Sequence, residues 1–590
     1  MKRPSVIPIL LAAVGLLVLS FAACGKSSTP SLTINLTNAP ATLTVNQSVS
    51  LTATVGYDSS NAGVDWSCSS GTFSVAHTAS GGTTVYTAPA TAGTVTITAA
   101  ATAESSVKDS VTISIVPIGS NAMLNGQYVF LVQGVDSNGV YAAGGTIVAD
   151  GNGNITAGEQ DYTDVAIQAG PDTVTGIYSI GPDGRGSITL NVSDTSLPHN
   201  GVETFSIALT SAGHALITQF DGTATSGGSL DLQTAAALDP AAIAGAFAFT
   251  AQGEDVSYQV PVCFGGVLAM SATTGTVSNG TYYVNDGGST SSATLLGTVT
   301  APDSLGRGTI QFTLGLGLAY YAVQGQVLRL VGQNAPYTVV AGSMYGQGTA
   351  GAGGTFSTAS LSGHYVLSEA GGTINGALAL AGQFTADGAG SFTAGYADTN
   401  DAGTATSVSI GGSSAYTISG NGAGTLSLPA AVDTSGNVGT LTIFAVDPAI
   451  NLVDPSLPTG GGGALVMDFD STAVASGTIM PQSTGAFDGN YALNLQLVGS
   501  SGESDWVGQS VAASGGLTGT LDINTAGATS SNVSLTGTFA ADGSNAGRWT
   551  GHFTVAGATY SIVYYQLSPT MFVIVDTDSA EVGIGIMETE

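Results

Sequence analysis

The stretch Gly126-Gln-Tyr128-Val-Phe-Leu-Val, followed by Gly144-Gly145-Thr-Ile-Val-Ala-Asp150-Gly-Asn-Gly153, decides how the chain is read. Its opening recurs as Gly245-Ala-Phe247, Gly363-His-Tyr365 and Gly489-Asn-Tyr491, with the aromatic residues spaced by 119, 118 and 126. A Gly-x-aromatic start at so regular an interval predicts four copies of one β-domain. In the first copy, Asp136-Ser-Asn-Gly139 and Asp150-Gly-Asn-Gly153 read as turns between the runs Gln127–Gly134, Tyr141–Ala149 and Ile155–Ala166. Val174–Ile180, Ser187–Val192, Glu203–Leu209, Ala215–Phe220 and Ser229–Gln233 complete about eight strands. Landmarks recur: Gly145-Thr-Ile matches Gly266-Val-Leu and Gly382-Gln-Phe384, and Ala215…Phe220-Asp221 matches Ala464…Phe469-Asp470.

Short sequential strands joined by short turns, in about 110 residues per copy, predict an up-and-down antiparallel barrel or a closely related curled sheet. Closure removes the sticky edges that short strands otherwise leave. A second kind of sandwich is the alternative architecture. Strands spanning a membrane are disfavoured by their shortness and by an aromatic content of 7%. No apolar stripe of helical period follows the N-terminal run. The expected fold class is therefore all-β: an Ig-like β-sandwich, then four repeated antiparallel β-domains of barrel type. The expected divisions are 1–23, 24–30, 31–117, 124–235, 241–350, 360–482 and 486–590.

The 85 glycines are accompanied by 43% hydrophobic residues, enough to bury cores, so most of the chain is expected to be folded. Only 8 Lys and Arg face 39 Asp and Glu. Such a surface repels phosphate backbones, which argues against a nucleic-acid partner.

Met1-Lys2-Arg3 precedes an apolar run from Val6 to Ala23, and Phe21-Ala22-Ala23-Cys24-Gly25 closes it. Small residues before a cysteine, after an apolar core, resemble the lipobox of bacterial lipoproteins, with Phe21 where Leu is usual. The resemblance implies a cleaved signal peptide, a palmitate-bearing anchor on Cys24, and attachment to the cell outer membrane. Acyl chains contribute about 0.8 kcal/mol per buried CH₂, so the implied partner is a membrane held through lipid.

Between Ser31 and Pro117, Val49, Leu51, Ala53 and Val55 alternate with polar residues, as do Val111, Ile113 and Ile115. Val64-Asp-Trp66-Ser, Tyr86-Thr-Ala-Pro89-Ala and Val95-Thr-Ile-Thr-Ala99 resemble the bacterial Ig-like (Big) domain family. That family implies a two-sheet sandwich used as a spacer or adhesion module, with Trp66 in its core. Three cysteines provide no disulfide framework, and Cys68 and Cys263 read as buried small hydrophobes.

Candidate chemistry is sparse. Asp150-x-Asn152-x-Asn154 with Asp161 superficially matches a calcium loop, yet Ile155 stands where the loop's glycine belongs. The other copies keep the turn glycines and lose the oxygen ligands, which favours a hairpin turn. Arg185, Arg307 and Arg548 sit at one equivalent place, where the third copy has Ala423. Asp161, Asp398 and Asp522 recur likewise, where the second copy has Tyr283. Within a copy the two do not always occur together, so the arginines read as structural, bonding carbonyls at a barrel end. His77, His199, His214, His364 and His552 show no metal-ligand spacing, and no nucleophile motif or phosphate loop occurs. No catalytic residue, metal or cofactor is expected. The expected role is non-enzymatic: a lipid-anchored surface protein with a structural, adhesive or interaction function and a glycan or protein partner. A small-ligand or glycan-binding barrel, and a glycan-active enzyme using an unseen carboxylate pair, are the alternatives.

Overall fold

Between Thr33 and Val116 the period-two pattern builds two facing sheets. One contains Thr33–Thr37, Ser48–Gly56, Thr83–Thr87 and Thr72–Phe73 in that order. The other runs Thr42–Thr44, Glu104–Val116, Gly93–Ala101, Val64–Cys68 and His77–Thr78. Leu51, Trp66, Tyr86, Ile97 and Ile113 fill the space between them. The Trp66 indole N–H, buried in that core, donates to Thr78 Oγ1 at 3.0 Å. Cys68 ends its strand and is half-buried, less enclosed than the sequence suggested. This computed structural model describes residues 31–589 except 41, 46, 90, 92, 117–118, 334–336, 413, 430–431, 433–438 and 458–461. Cys24, the lipobox and the tether lie outside the described residues.

Four barrels follow. The first runs in chain order through eight strands from Asn125–Asp136 to Ala224–Leu232, the second from Ala244–Asp255 to Thr338–Gly346, and the fourth from Gly489–Gly499 to Glu581–Thr589; all three close. In the third, the fourth strand is broken into Thr404–Ser409 and Ala415–Ile418, so the sheet has nine strands. Backbone bonds from Phe392 N to Ser414 O and from Tyr416 N to Gly390 O carry the closure across that break. The halves count below as one strand.

The repeated opening has a physical reason. Gly126, Gly245, Gly363 and Gly489 all have positive φ, between 123° and 142°, which a side chain disfavours. The aromatic residue two places on then points into the lumen: Tyr128, Phe247, Tyr365 and Tyr491 each belong to their own barrel's inner core. A second set of glycines was not apparent from the sequence. Gly228, Gly342, Gly477 and Gly585 lie on the eighth strands, opposite Val132, Ala251, Glu369 and Leu495 on the first. A Cβ there would stand 1.8–2.1 Å from a first-strand carbonyl oxygen. Each barrel is therefore drawn tight where its first and last strands meet.

The barrels form a ring. The first strands of each barrel pack against the sixth, seventh and eighth strands of the next, and the fourth barrel does the same to the first. Outward-facing residues such as Val129, Val267, Phe444, Leu465, Val563 and Val573 join a shared core between barrels. Strands at these seams bury both faces, as Val327–Gly332 and Met571–Asp576 do along their whole length. Up-and-down order puts all first–second hairpins at one pole, and all linkers and sixth–seventh turns at the other. The sandwich sits at the linker pole, where Ser48, Val49 and Val85 face Leu457, Pro481 and Thr570. The third barrel's sixth–seventh connection, residues 447–462, is its long insertion, against 569–570 in the fourth.

Replacing Gly228 or Gly585 by Ala is expected to lower stability by about 1–3 kcal/mol through overpacking at the first–last seam. Gly543→Ala, where nothing lies within 4 Å, is expected to change it by less than about 0.5 kcal/mol. Urea denaturation midpoints check both.

Candidate functional site: the seams between barrels and the vestibule they enclose

The third strand of each barrel alternates, so that Gln160 and Tyr162 face the lumen while Asp161 between them faces outward. The outward carboxylate is fully buried by the next barrel. Arg307 of the second barrel grips Asp161 with Nε at 2.6 Å and Nη2 at 2.9 Å, and Tyr321 adds its hydroxyl at 2.7 Å. Arg548 of the fourth barrel grips Asp398 of the third at 2.7 and 2.8 Å, joined by the Tyr565 hydroxyl. Arg185 of the first barrel meets Asp522 of the fourth at 3.3 Å, with Ser206 Oγ donating to the same carboxylate at 2.6 Å.

This corrects the sequence reading of the arginines. Arg185, Arg307 and Arg548 do not close the ends of their own barrels; each clamps the carboxylate of the barrel beside it. The apparent mismatch disappears with it. The second copy's Tyr283 and the third copy's Ala423 face the same seam, and Tyr283 packs there on Phe444 and Phe469 at ring distances of 5.6 and 5.5 Å. One seam lost both partners at once and became aromatic.

Two residues along the same strand lies a second fastener. The Asn285 side-chain amide donates to the carbonyls of Asp468, Asp470 and Ala473 in the third barrel. Asn400 does the same to Asp576, Asp578 and Glu581, and Asn524 to Gln219 and Ala224. The first copy has Thr163 at this place. The third and fourth copies carry both fasteners as one triplet visible in the sequence, Asp398-x-Asn400 and Asp522-x-Asn524.

At the ring's centre, one network draws on all four barrels. Asp231 accepts from Arg329 Nε at 2.9 Å and pairs with His214 Nδ1 at 2.7 Å. Tyr345 bonds Arg329 and reaches the Leu452 carbonyl on the third barrel's long connection. His214 Nε2 stands 3.6 Å from Glu588, an ion-pair separation longer than a hydrogen bond. A buried His–Asp pair would suit general-base chemistry, but this Nε2 faces a carboxylate, not a hydroxyl or thiol. Burial opposes charge on His214, yet Glu588, Asp454 and Asp231 outweigh it and hold the imidazolium well above its usual range. Burial also opposes ionisation of Asp231, but Arg329 and His214 pull it down to about 2.

Between the four barrels, on the hairpin side of this network, lies a vestibule of about 670 Å³. Gln133, Gln252, Ala370 and Gln496 occupy one equivalent place on its wall, and Arg329 reaches it from below. Gln133 bridges to the Gln252 carbonyl at 2.9 Å, and Ser476 to the Gln252 side chain at 2.7 Å. The barrel lumens, by contrast, are packed with their own side chains. At the same pole as the first–second hairpins, Tyr258, Tyr337 and Ile374 are exposed on turns of the second and third barrels.

The remaining sequence candidates fall elsewhere. Asp150 Oδ1 accepts the backbone N–H of Asn152 and of Asn154, so its carboxylate organises the hairpin turn. Asp387 does the same in the third barrel. Cys263 is buried at the seam of the second and third barrels. Among the described residues, no three His, Cys, Asp or Glu side chains gather as a metal site, and no helix is long and apolar enough to cross a membrane.

No family model matches the chain, and no curated protein matches it significantly. Among solved structures, a kievitone hydratase from Nectria haematococca is 12% identical over 39% of this chain and 89% of its own, with a TM-score of 0.16. A Transferrin Binding Protein B mutant from Haemophilus parasuis is 9% identical over 79% and 96%, with a TM-score of 0.18. The alcaligin outer membrane receptor FauA from Bordetella pertussis is 8% identical over 84% and 81%, with a TM-score of 0.12. Likeness at this level carries no functional argument.

Arg548→Ala leaves Asp398 buried and unpaired and is expected to cost about 3–5 kcal/mol; Arg185→Ala, at the more exposed pair, is expected to cost less. Combining Arg548→Ala with Asp398→Tyr copies the aromatic seam and is expected to recover most of the loss in a double-mutant cycle. For pH, burial pushes Glu203, Asp505 and Asp576 each up to about 7. An unfolded chain ionises them near pH 4, so stability falls as pH rises from about 4 to about 7. The raised His214 acts in the same direction: its contribution is complete below about pH 6.5 and is lost as pH climbs through its folded value. Asp231 has the opposite sign, and its contribution is lost as pH falls below about 4 toward 2. Melting temperatures are expected to peak near pH 4 and to drop toward pH 8.

Proposed function

We propose that this chain is a lipid-anchored surface protein of the cell envelope with a structural, adhesive or interaction role and no catalytic one. The observation that carries this reading is the ring: four filled barrels, clamped to one another at buried seams, make a rigid body. The Ig-like sandwich at the linker pole suits a spacer, and the lipobox-like segment upstream of it suits a tether. The opposite pole then faces outward and presents Tyr258, Tyr337 and Ile374 for contact. A second reading, binding of a small neutral ligand or glycan, is favoured by the vestibule alone.

Labelled palmitate is expected to enter the wild-type protein and not a Cys24→Ser variant; equal labelling sinks the anchor. Replacing Tyr258, Tyr337 and Ile374 together by Ser is expected to reduce attachment of intact cells to surfaces without lowering the melting temperature. Unchanged attachment, with a glycan bound in the vestibule, would favour the second reading.

A further inference from the structure

The lumen of the third barrel buries two acidic side chains that have no hydrogen-bond partner among the described residues. Glu369 on the first strand and Asp468 on the seventh are both almost wholly buried, at 1% and 0% exposure. All four of their carboxylate oxygens lack a hydrogen-bond partner. Registration shows why they share one space. Glu369 lies opposite Gly477 on the eighth strand, Gly477 lies opposite Val466, and Asp468 is the next lumen-facing residue after Val466. Gly477 has no side chain to separate them. On the other side, Glu369 pairs across Leu380 with Thr399, which pairs with Thr406. The hydroxyls of Thr399, fully buried, and of Thr406 also lack a partner. Six oxygens without a partner therefore belong to side chains that face this one lumen. Nearby Asp470 is already engaged, accepting from the backbone of Gly439, Thr472 and Ala473.

The sister barrels supply the control. The equivalent pairs are Val132 with Gln219, Ala251 with Gly332, and Leu495 with Asp576. Only the third barrel has acids at both places; the fourth buries Asp576 at one of them, beside Leu495, and burying two acids without partners weighs against the fold. Burial and Asp470 push Glu369 up to about 8, the direction of a carboxylate short of a counter-charge.

We propose that Glu369 and Asp468 form the core of a binding site, inside the third barrel, for a hard divalent cation of the calcium type. Two carboxylates neutralise the ion, and the hydroxyls of Thr399 and Thr406 or water complete an all-oxygen shell. The site is unrelated to the Asp150 turn, whose carboxylate already serves the backbone.

Calorimetric titration of the full chain with calcium chloride, after treatment with EDTA, tests this. One calcium per chain is expected, with a melting temperature several degrees higher in calcium than in EDTA. Glu369→Gln and Asp468→Asn are each expected to abolish binding, and Asp150→Asn to leave it intact. In EDTA, Glu369→Leu with Asp468→Val is expected to melt above wild type, because it removes two buried carboxylates that have no partner. Wild-type protein that takes up no calcium overturns the proposal whether or not a variant folds. So does calcium binding retained by Glu369→Gln and Asp468→Asn.

Discussion

A carboxylate that faces away from its own barrel, buried by the next, is the constraint on which this molecule turns. Such a charge is tolerable only if the neighbour supplies a cation with matching geometry. Asp161, Asp398 and Asp522 are each met by an arginine, and at Asp161 and Asp398 the two-nitrogen fork fixes the rotation of one barrel against the next as well as its distance. The contact is head to tail: one patch of each copy meets a different patch of its successor. Such contacts either propagate without end or close, and here the rotation per copy closes them after four.

The rest of the composition follows from that closure. All four arginines among the described residues lie in seams: Arg185, Arg307, Arg329 and Arg548. None of the four is left to give the outer surface a basic patch. Strands at the seams are buried on both faces, which makes antiparallel strands read as continuous apolar runs of the kind usual in parallel sheets. The seam between the second and third barrels gives up its ion pair for Tyr283 on Phe444, consistent with the near-equivalence of buried ion pairs and well-packed apolar groups.

Rigid closure also sorts the molecule's spaces. Barrel lumens are too full to serve as general ligand cavities, so the volume that remains lies between barrels, in the vestibule. Beneath it, the His214–Asp231–Arg329 network and the third barrel's long connection seal the linker pole. The departures from fourfold likeness are therefore informative. The long connection plugs the centre, the broken fourth strand marks the third barrel, and the same barrel holds the unpartnered Glu369 and Asp468.

Much was legible along the chain because it depends on neighbours in sequence. Period-two alternation named strands, turn glycines and asparagines separated them, and positive φ at Gly126 and its three counterparts made the repeat visible. The all-β class, the repeated barrels and the turn role of Asp150 follow from local chemistry of that kind. The partners of the arginines do not, since Arg307 and Asp161 lie 146 residues apart and Arg185 and Asp522 lie 337. Within a copy the pair is broken because its two members belong to neighbouring copies. His214 with Glu588, the tight glycines at the first–last seams and the acid pair of the third lumen were hidden for the same reason. Sequence alone determined what each copy would become, because backbone preference and alternation act over a few residues; which copy's charge would answer which was decided only when four barrels met, because Coulomb pairing depends on separation in space.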